Sequence, residues 1–246
     1  YTHALAAHRE PLYPVLRHGQ LLAALGLSLD GLQLELHLTA AERAQAAAAL
    51  AQAGRREQAP LVAMAPAAEE ADKVWPPERY AQVADALVEL TGAQILLLGA
   101  GPEQPWLEAV RACMRLAPLP PVPVPDLRHA AALLERATLY LGADTVTRHM
   151  AMALDLPSVT IVGRADPRVG TPPGQMAHVA LAYDPGCKAR CTFPHCLHLS
   201  CVATIPAESV LRAALRALGI AEPGARPAPW PAAAGAGQRE RLPLAR

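Results

Sequence analysis

The chain has 246 residues, 52% of them hydrophobic, and its 22 Lys+Arg balance 22 Asp+Glu, so it carries no formal net charge. That length is ample to bury a core and suits one large domain or one and a half smaller ones. The charge balance leaves no basic footprint for nucleic acid, and no apolar run reaches the roughly 20 residues of a membrane-spanning helix.

The opening YTHALAAHREPLYP lacks a charged segment followed by an apolar one, so it does not read as a secretory signal. It begins with Tyr1 rather than Met, as a fragment would. Residues 1–40 are weakly patterned, with turn signals at Gly26 and Asp30-Gly31. From Thr39, TAAERAQAAAALAQAG carries a capping residue, Glu42 three positions on and a closing Gly54, which predicts a helix. Residues 1–58 thus read as a linker or lead-in with one helix.

Beyond it, apolar runs alternate with amphipathic segments. LVAMAP (61–66) predicts a strand, PPERYAQVADALVELTG (76–92) a helix with Pro at its start and Gly at its end, and ILLLGAG (95–101) a strand entering a Gly-rich turn. PEQPWLEAVRACMRL predicts a helix, PVPV at most a short edge strand, and DLRHAAALLERA (126–137) a helix capped by Asp126. TLYLGAD predicts a strand, TVTRHMAMALDL a helix and SVTIVG a strand; HVALAYD (178–184) is the last strand and IPAESVLRAALRALG (205–219) the last helix. The strand segments are continuous apolar runs, as parallel strands covered on both faces require. The fold class expected is α/β, a doubly wound parallel sheet over residues 59–220. The tail, 221–246, is rich in Pro, Ala and Gly and reads as disordered.

In such sheets ligands bind outside the carboxyl ends of the strands. Polar residues follow three strands directly. Asp144 and Thr145 sit where a strand becomes a helix; the helix start suits an anion, and Asp144 can accept bonds from sugar hydroxyls or cap the helix. His149, four residues past Thr145, shares its helix face. Lys73 precedes the helix at 76 and offers a point charge for phosphate; the plain alternative is a solvated loop lysine beside a core Trp75. Only Lys73 and Lys188 among the 22 cations are lysines. Glu103 follows the Gly99–Gly101 turn and can hold a ribose diol or favour the next helix start. The GxGxxG dinucleotide pattern is missing. Together, an anion site, a cation and two carboxylates at neighbouring strand ends suit a nucleoside diphosphate carrying a sugar.

KVWPPERYAQVADAL, ILLLGAG with Glu103, and GADTVTRHMAMALDLPSVTIVG followed by ADP resemble glycosyltransferase family 9, the heptosyltransferases of lipopolysaccharide core assembly. The resemblance spans roughly 59–219 and preserves the order and spacing of the three motifs. It implies a GT-B fold, two Rossmann-like domains facing a cleft, of which this chain resembles the C-terminal, nucleotide-sugar-binding half. It implies an inverting transfer from a donor such as ADP-L-glycero-D-manno-heptose to a lipid-linked saccharide acceptor, without a metal cofactor. The setting implied is cytoplasmic, with peripheral contact at the inner membrane. By resemblance, Lys73 approaches the donor phosphates, Glu103 the nucleoside, and Asp144 and Thr145 the sugar and phosphate; His149 matches the motif histidine. The family's catalytic Asp comes from the N-terminal, acceptor-binding domain, and residues 1–40 hold no candidate for it, so this chain alone is expected to bind a donor at best.

Two departures stand out. The motif's glycine is Val146, whose branched side chain crowds an approaching phosphate. The loop before Lys73 reads AAEEAD, and Glu69, Glu70 and Asp72 would repel a diphosphate if they faced it. Both suit the alternative of a degenerate module that binds a nucleotide or a partner without transfer; another GT-B sugar-nucleotide enzyme, such as an epimerase, is a weaker third.

CKARCTFPHCLHLSC places Cys187, Cys191, Cys196 and Cys201 around His195 and His198. Thiolates and imidazoles can hold zinc, but C-x3-C-x4-C-x4-C is not the paired C-x2-C spacing. A packed reduced loop, a disulfide and an iron–sulfur set also remain open, and many members of the resembled family carry a similar Cys-rich loop. The expectation is no metal, with these four cysteines as the zinc candidates.

Overall fold

The computed structural model describes residues 13–187, 190–196 and 198–220. Five parallel strands, β1 (Leu61–Ala65), β2 (Gln94–Leu97), β3 (Leu139–Ala143), β4 (Ser158–Val162) and β5 (His178–Ala182), form one sheet in the order β2-β1-β3-β4-β5. β1, β3 and β4 are buried along their whole length, which is why β1 and β3 read as apolar runs; β4 buries the small polar Ser158 and Thr160 among its apolar residues. Their side chains alternate between two cores. Val62, Met64, Leu139, Leu141, Val159 and Ile161 face one core, completed by α3 (Pro77–Thr91) and α9 (Ala207–Ala217). Leu61, Ala63, Ala65 and Tyr140 face the other, completed by α2 (Ala40–Gln52), α5 (Leu127–Glu135) and α6 (Val146–Ala153). Helices on both faces of a parallel sheet make the doubly wound α/β fold expected. The remaining helices are α1 (Pro14–Ala24), α4 (Gln104–Cys113), α7 (Pro167–Gly170) and α8 (Ser200–Ala203). No described helix is long and apolar enough to cross a membrane.

Local chemistry accounts for the element ends. Thr39 Oγ1 accepts from Glu42 N–H at 3.2 Å while Glu42 Oε2 accepts from Thr39 N–H at 2.6 Å, the reciprocal cap that opens α2. Arg128 bonds Glu42 at 2.6 Å and Arg43 bonds Glu135 at 2.8 Å, tying α2 to α5. Its bonds to Arg128, first in effect, and to Thr39 hold the Glu42 carboxyl down at about 2. Trp75 is fully buried; its Nε1 donates to Ile205 O at 3.0 Å and its ring meets Tyr80 edge-on at 4.9 Å.

Three sequence expectations need adjusting. Among its described residues, the lead-in holds two helices, not one. α1 starts with Pro14 as its first residue, and Gly19 blurred its sequence signal because glycine costs about 1 kcal/mol in a helix interior; here the bare Gly19 lies against Leu29, where a Cβ would stand 3.0 Å from its methyl. PVPV forms no strand. Leu119 N–H donates to Ile95 O at 2.8 Å, but Pro118, Pro120, Pro121, Pro123 and Pro125 have no amide to continue a ladder. The helix expected from Pro102 begins as a 3-10 turn at Gly101–Glu103 before α4. The tail expected to be disordered, 221–246, lies outside the described residues.

Candidate functional site at the carboxyl edge of the sheet

The strand order reverses between β1 and β3: β2 lies to one side of β1, and β4 and β5 lie beyond β3. This is the switch point at which the loops after adjacent strands diverge and leave a crevice. β1 and β3 pair in parallel with Ala65 opposite Gly142, so their following loops leave the sheet side by side. One carries Lys73 and the other Asp144 and Thr145.

After β3, Thr145 N–H bonds back to Ala143 O at 3.0 Å, and Thr145 in extended conformation opens α6. Its hydroxyl does not cap the helix. Thr145 Oγ1 bonds Thr147 Oγ1 at 2.9 Å, and Thr147 Oγ1 lies 3.1 Å from the Tyr140 hydroxyl, which donates to Ala143 O at 2.9 Å. Burial pushes the Tyr140 phenol up to about 12. The first turn of α6 therefore keeps amides that no side-chain cap consumes, the donor set an anion needs. Val146, where the resembled motif has glycine, is 49% exposed at this first turn.

Asp144 accepts a hydrogen bond from Arg148 Nη1 at 2.6 Å. Arg148 is a residue that sequence reasoning missed, although its place four after Asp144 is the spacing of a helical ion pair. His149 is half-buried beside it. Burial lowers the His149 pKa, the Arg148 guanidinium lowers it further, and Asp144 works the other way.

After β1, a short 3-10 turn at Ala71–Lys73 lies across the end of β4. A Cβ on Gly163 would stand 1.7 Å from Asp72 O, so only a residue without a side chain lets this turn lie so close. Lys73 forms an ion pair with Glu70. Asp72 does not face the crevice as a free charge: it is 2% exposed, and its Oδ2 forms an ion pair with Arg164 Nε at 2.9 Å. Arg164 also lies over the Phe193 ring at 4.6 Å. Of the acidic loop, Asp72 is thus neutralised within the fold and Glu70 is matched to Lys73, while Glu69 is exposed.

After β2, Glu103 turns back on its own loop, and Ala100 N–H donates to its Oε2 at 2.9 Å. This carboxylate caps its own loop. The candidate cysteines are free thiols: Cys187 and Cys196 half-buried, Cys191 exposed, Cys201 buried. Burial pushes the Cys201 thiol up, with Asp72 next in effect. Cys196 Sγ lies 3.7 Å from His198 Nε2. Among the described residues, no three His, Cys, Asp or Glu side chains gather into a metal-binding group, so the zinc candidates are not assembled as one.

The five-stranded parallel sheet with helices on both faces is a Rossmann-like, doubly wound α/β domain. The chain belongs to glycosyltransferase family 9 (heptosyltransferase), whose family model matches residues 2–195. It is 29% identical over 112 residues to lipopolysaccharide heptosyltransferase 3 of Escherichia coli, covering 43% of this chain and 32% of that protein. Its fold matches a family 9 glycosyltransferase from Veillonella parvula at TM-score 0.75 and 21% identity, over 87% of this chain and 62% of that one. It also matches the E. coli ADP-heptose lipopolysaccharide heptosyltransferase II at TM-score 0.63 and 21% identity, over 79% and 56%. The chain therefore spans about a third of the curated relative and under two thirds of these solved structures.

Proposed function

We propose that the chain is the donor-binding half of a family 9 glycosyltransferase that moves a sugar from a nucleoside-diphosphate donor to a lipopolysaccharide-type, lipid-linked saccharide acceptor. What supports this most is that the loop carrying Lys73 and the Asp144-Thr145 junction that opens α6 leave the paired strands β1 and β3 at the switch point. ADP-heptose is the donor class proposed, since one structural relative carries that donor in its name. The reaction is cytoplasmic, with peripheral contact at the inner membrane, and uses no metal. The acceptor-binding part and its catalytic base belong to the portion of the relatives that this chain does not span.

In the reaction, a base takes the proton from an acceptor hydroxyl. That oxygen attacks the anomeric carbon, and the bond from this carbon to the diphosphate oxygen breaks with its electron pair leaving on the nucleoside diphosphate, inverting the centre. Lys73 and the amides at the start of α6 stabilise the departing charge. Asp144 accepts from the sugar, Glu103 from the ribose diol after leaving Ala100, and His149 lines the same helix face. Phosphate must displace Glu70 from Lys73, an exchange of one anion for another at an exposed pair.

A second reading is a degenerate module that holds a nucleotide or a partner without transfer. The exposed Val146 at the helix start and the Glu70–Lys73 pair favour it. Calorimetric titration of the parent, Lys73→Ala and Asp144→Asn with ADP, GDP and UDP tests donor binding. Binding of one diphosphate at micromolar to millimolar strength, weakened at least tenfold in Lys73→Ala, is expected. No heat with any of the three sinks donor binding and leaves the partner-binding module.

A further inference from the structure

Arg148 is a charged side chain with almost no contact with water, at 2% exposure, while the Asp144 carboxylate it holds keeps 17%. Burying a guanidinium is costly unless each of its donors finds an acceptor. Here they are shared between two segments. Nη1 donates to Asp144 Oδ1 at 2.6 Å, and Nη2 donates to Thr171 Oγ1, just after α7 in the crossover from β4 to β5. The Thr171 hydroxyl is itself oriented, donating to Pro167 O at 2.8 Å. Gly170 leaves the space: a Cβ there would stand 2.3 Å from Nη1. Tyr13, in the lead-in, is 4% exposed, and its phenol lies within electrostatic reach of the guanidinium.

Asp144 Oδ1 is thereby fixed, and Oδ2 has no protein hydrogen-bond partner among the described residues. We infer that Arg148 is a positioning residue: it braces Asp144 against the β4–β5 crossover so that the second carboxylate oxygen stands ready to accept from a hydroxyl of the donor's sugar. This rests on the donor-binding reading above and adds what makes the site read the sugar rather than the nucleotide. A carboxylate held in place loses less freedom on binding than one that must be ordered by its ligand. The planar fork matters because its two ends reach different partners, which an ammonium on a flexible stem does not reproduce.

The test compares affinities of the chain for ADP and ADP-heptose in the parent, Arg148→Gln, Arg148→Lys and Thr171→Val, with thermal melting to establish that each is folded. Arg148→Gln should cut the preference for ADP-heptose over ADP about tenfold, the scale of one hydrogen bond to a charged group, while leaving ADP affinity near the parent's. Thr171→Val, which keeps the guanidinium but removes its second anchor, should cut the preference by a smaller factor, and Arg148→Lys should fall between them. If Arg148→Gln does not fold, the other two variants carry the comparison. Equal losses for ADP and ADP-heptose, or no loss for either, would overturn the positioning role while leaving donor binding intact. A parent that binds neither ligand overturns the donor-binding reading, and this inference with it.

Discussion

The two sides of the candidate site neutralise their charges differently. At the β3 side, Arg148 and Asp144 form a pair with side chains 2% and 17% exposed. At the β1 side, Lys73 and Glu70 form one with side chains 28% and 45% exposed. Removing either partner of the first strands a charge in a medium that solvates it poorly, so the pair behaves as part of the frame. The second is wetted and contributes little to stability, so a ligand anion can replace Glu70 at small cost.

The contrast breaks most visibly at Asp144. Asp144→Ala should cost about 3 kcal/mol, because it leaves Arg148 buried without its counter-charge; urea unfolding measures this, and a cost below about 1 kcal/mol would mean the pair is solvated like its neighbour. His149 gives a smaller, pH-dependent effect. Its folded pKa lies below the unfolded value, so the unfolded chain binds the proton more readily and stability is lost as pH falls from about 6.5 toward the folded pKa. His149→Gln should reduce the fall in melting temperature between pH 7.5 and 5; His178, lowered by burial against Ser158, keeps the rest of it. The smallest stability effect belongs to Glu70→Gln. Unfolding should move by less than about 0.5 kcal/mol, yet ADP affinity should rise several-fold as Lys73 loses its competitor; unchanged affinity would show that Lys73 does not meet the phosphates.

Much of this architecture was legible before any coordinates. β1 and β3 announced themselves as apolar runs because both of their faces are covered, and the β-branched residues of β4 marked it as a strand. The α2 helix was marked by Thr39, Glu42 and Gly54, and the junction at Asp144 was marked by polar residues between apolar segments. α1 escaped because Gly19 and the polar residues around it weaken the local signal that packing against Leu29 restores. The brace on Asp144 escaped for a different reason. Its near end, Arg148, was visible at helical spacing, but its far end, Thr171, lies 23 residues further on in another element. The neutralisation of Asp72 by Arg164 was hidden in the same way, and with it the fact that this acid turns away from the site.

Sequence alone determined the alternation of strands and helices, the buried character of the central strands and the polar residues at their carboxyl ends, because each follows from periodicity, caps and turns among neighbours in the chain. Tertiary structure decided the order β2-β1-β3-β4-β5, which makes the strands before the Lys73 loop and the Asp144 junction neighbours, and it decided which charges are buried in ion pairs and which stay wetted. Those outcomes depend on burial and on partners far apart in the chain, and a charge's worth is set by how much water surrounds it once the chain has closed over it.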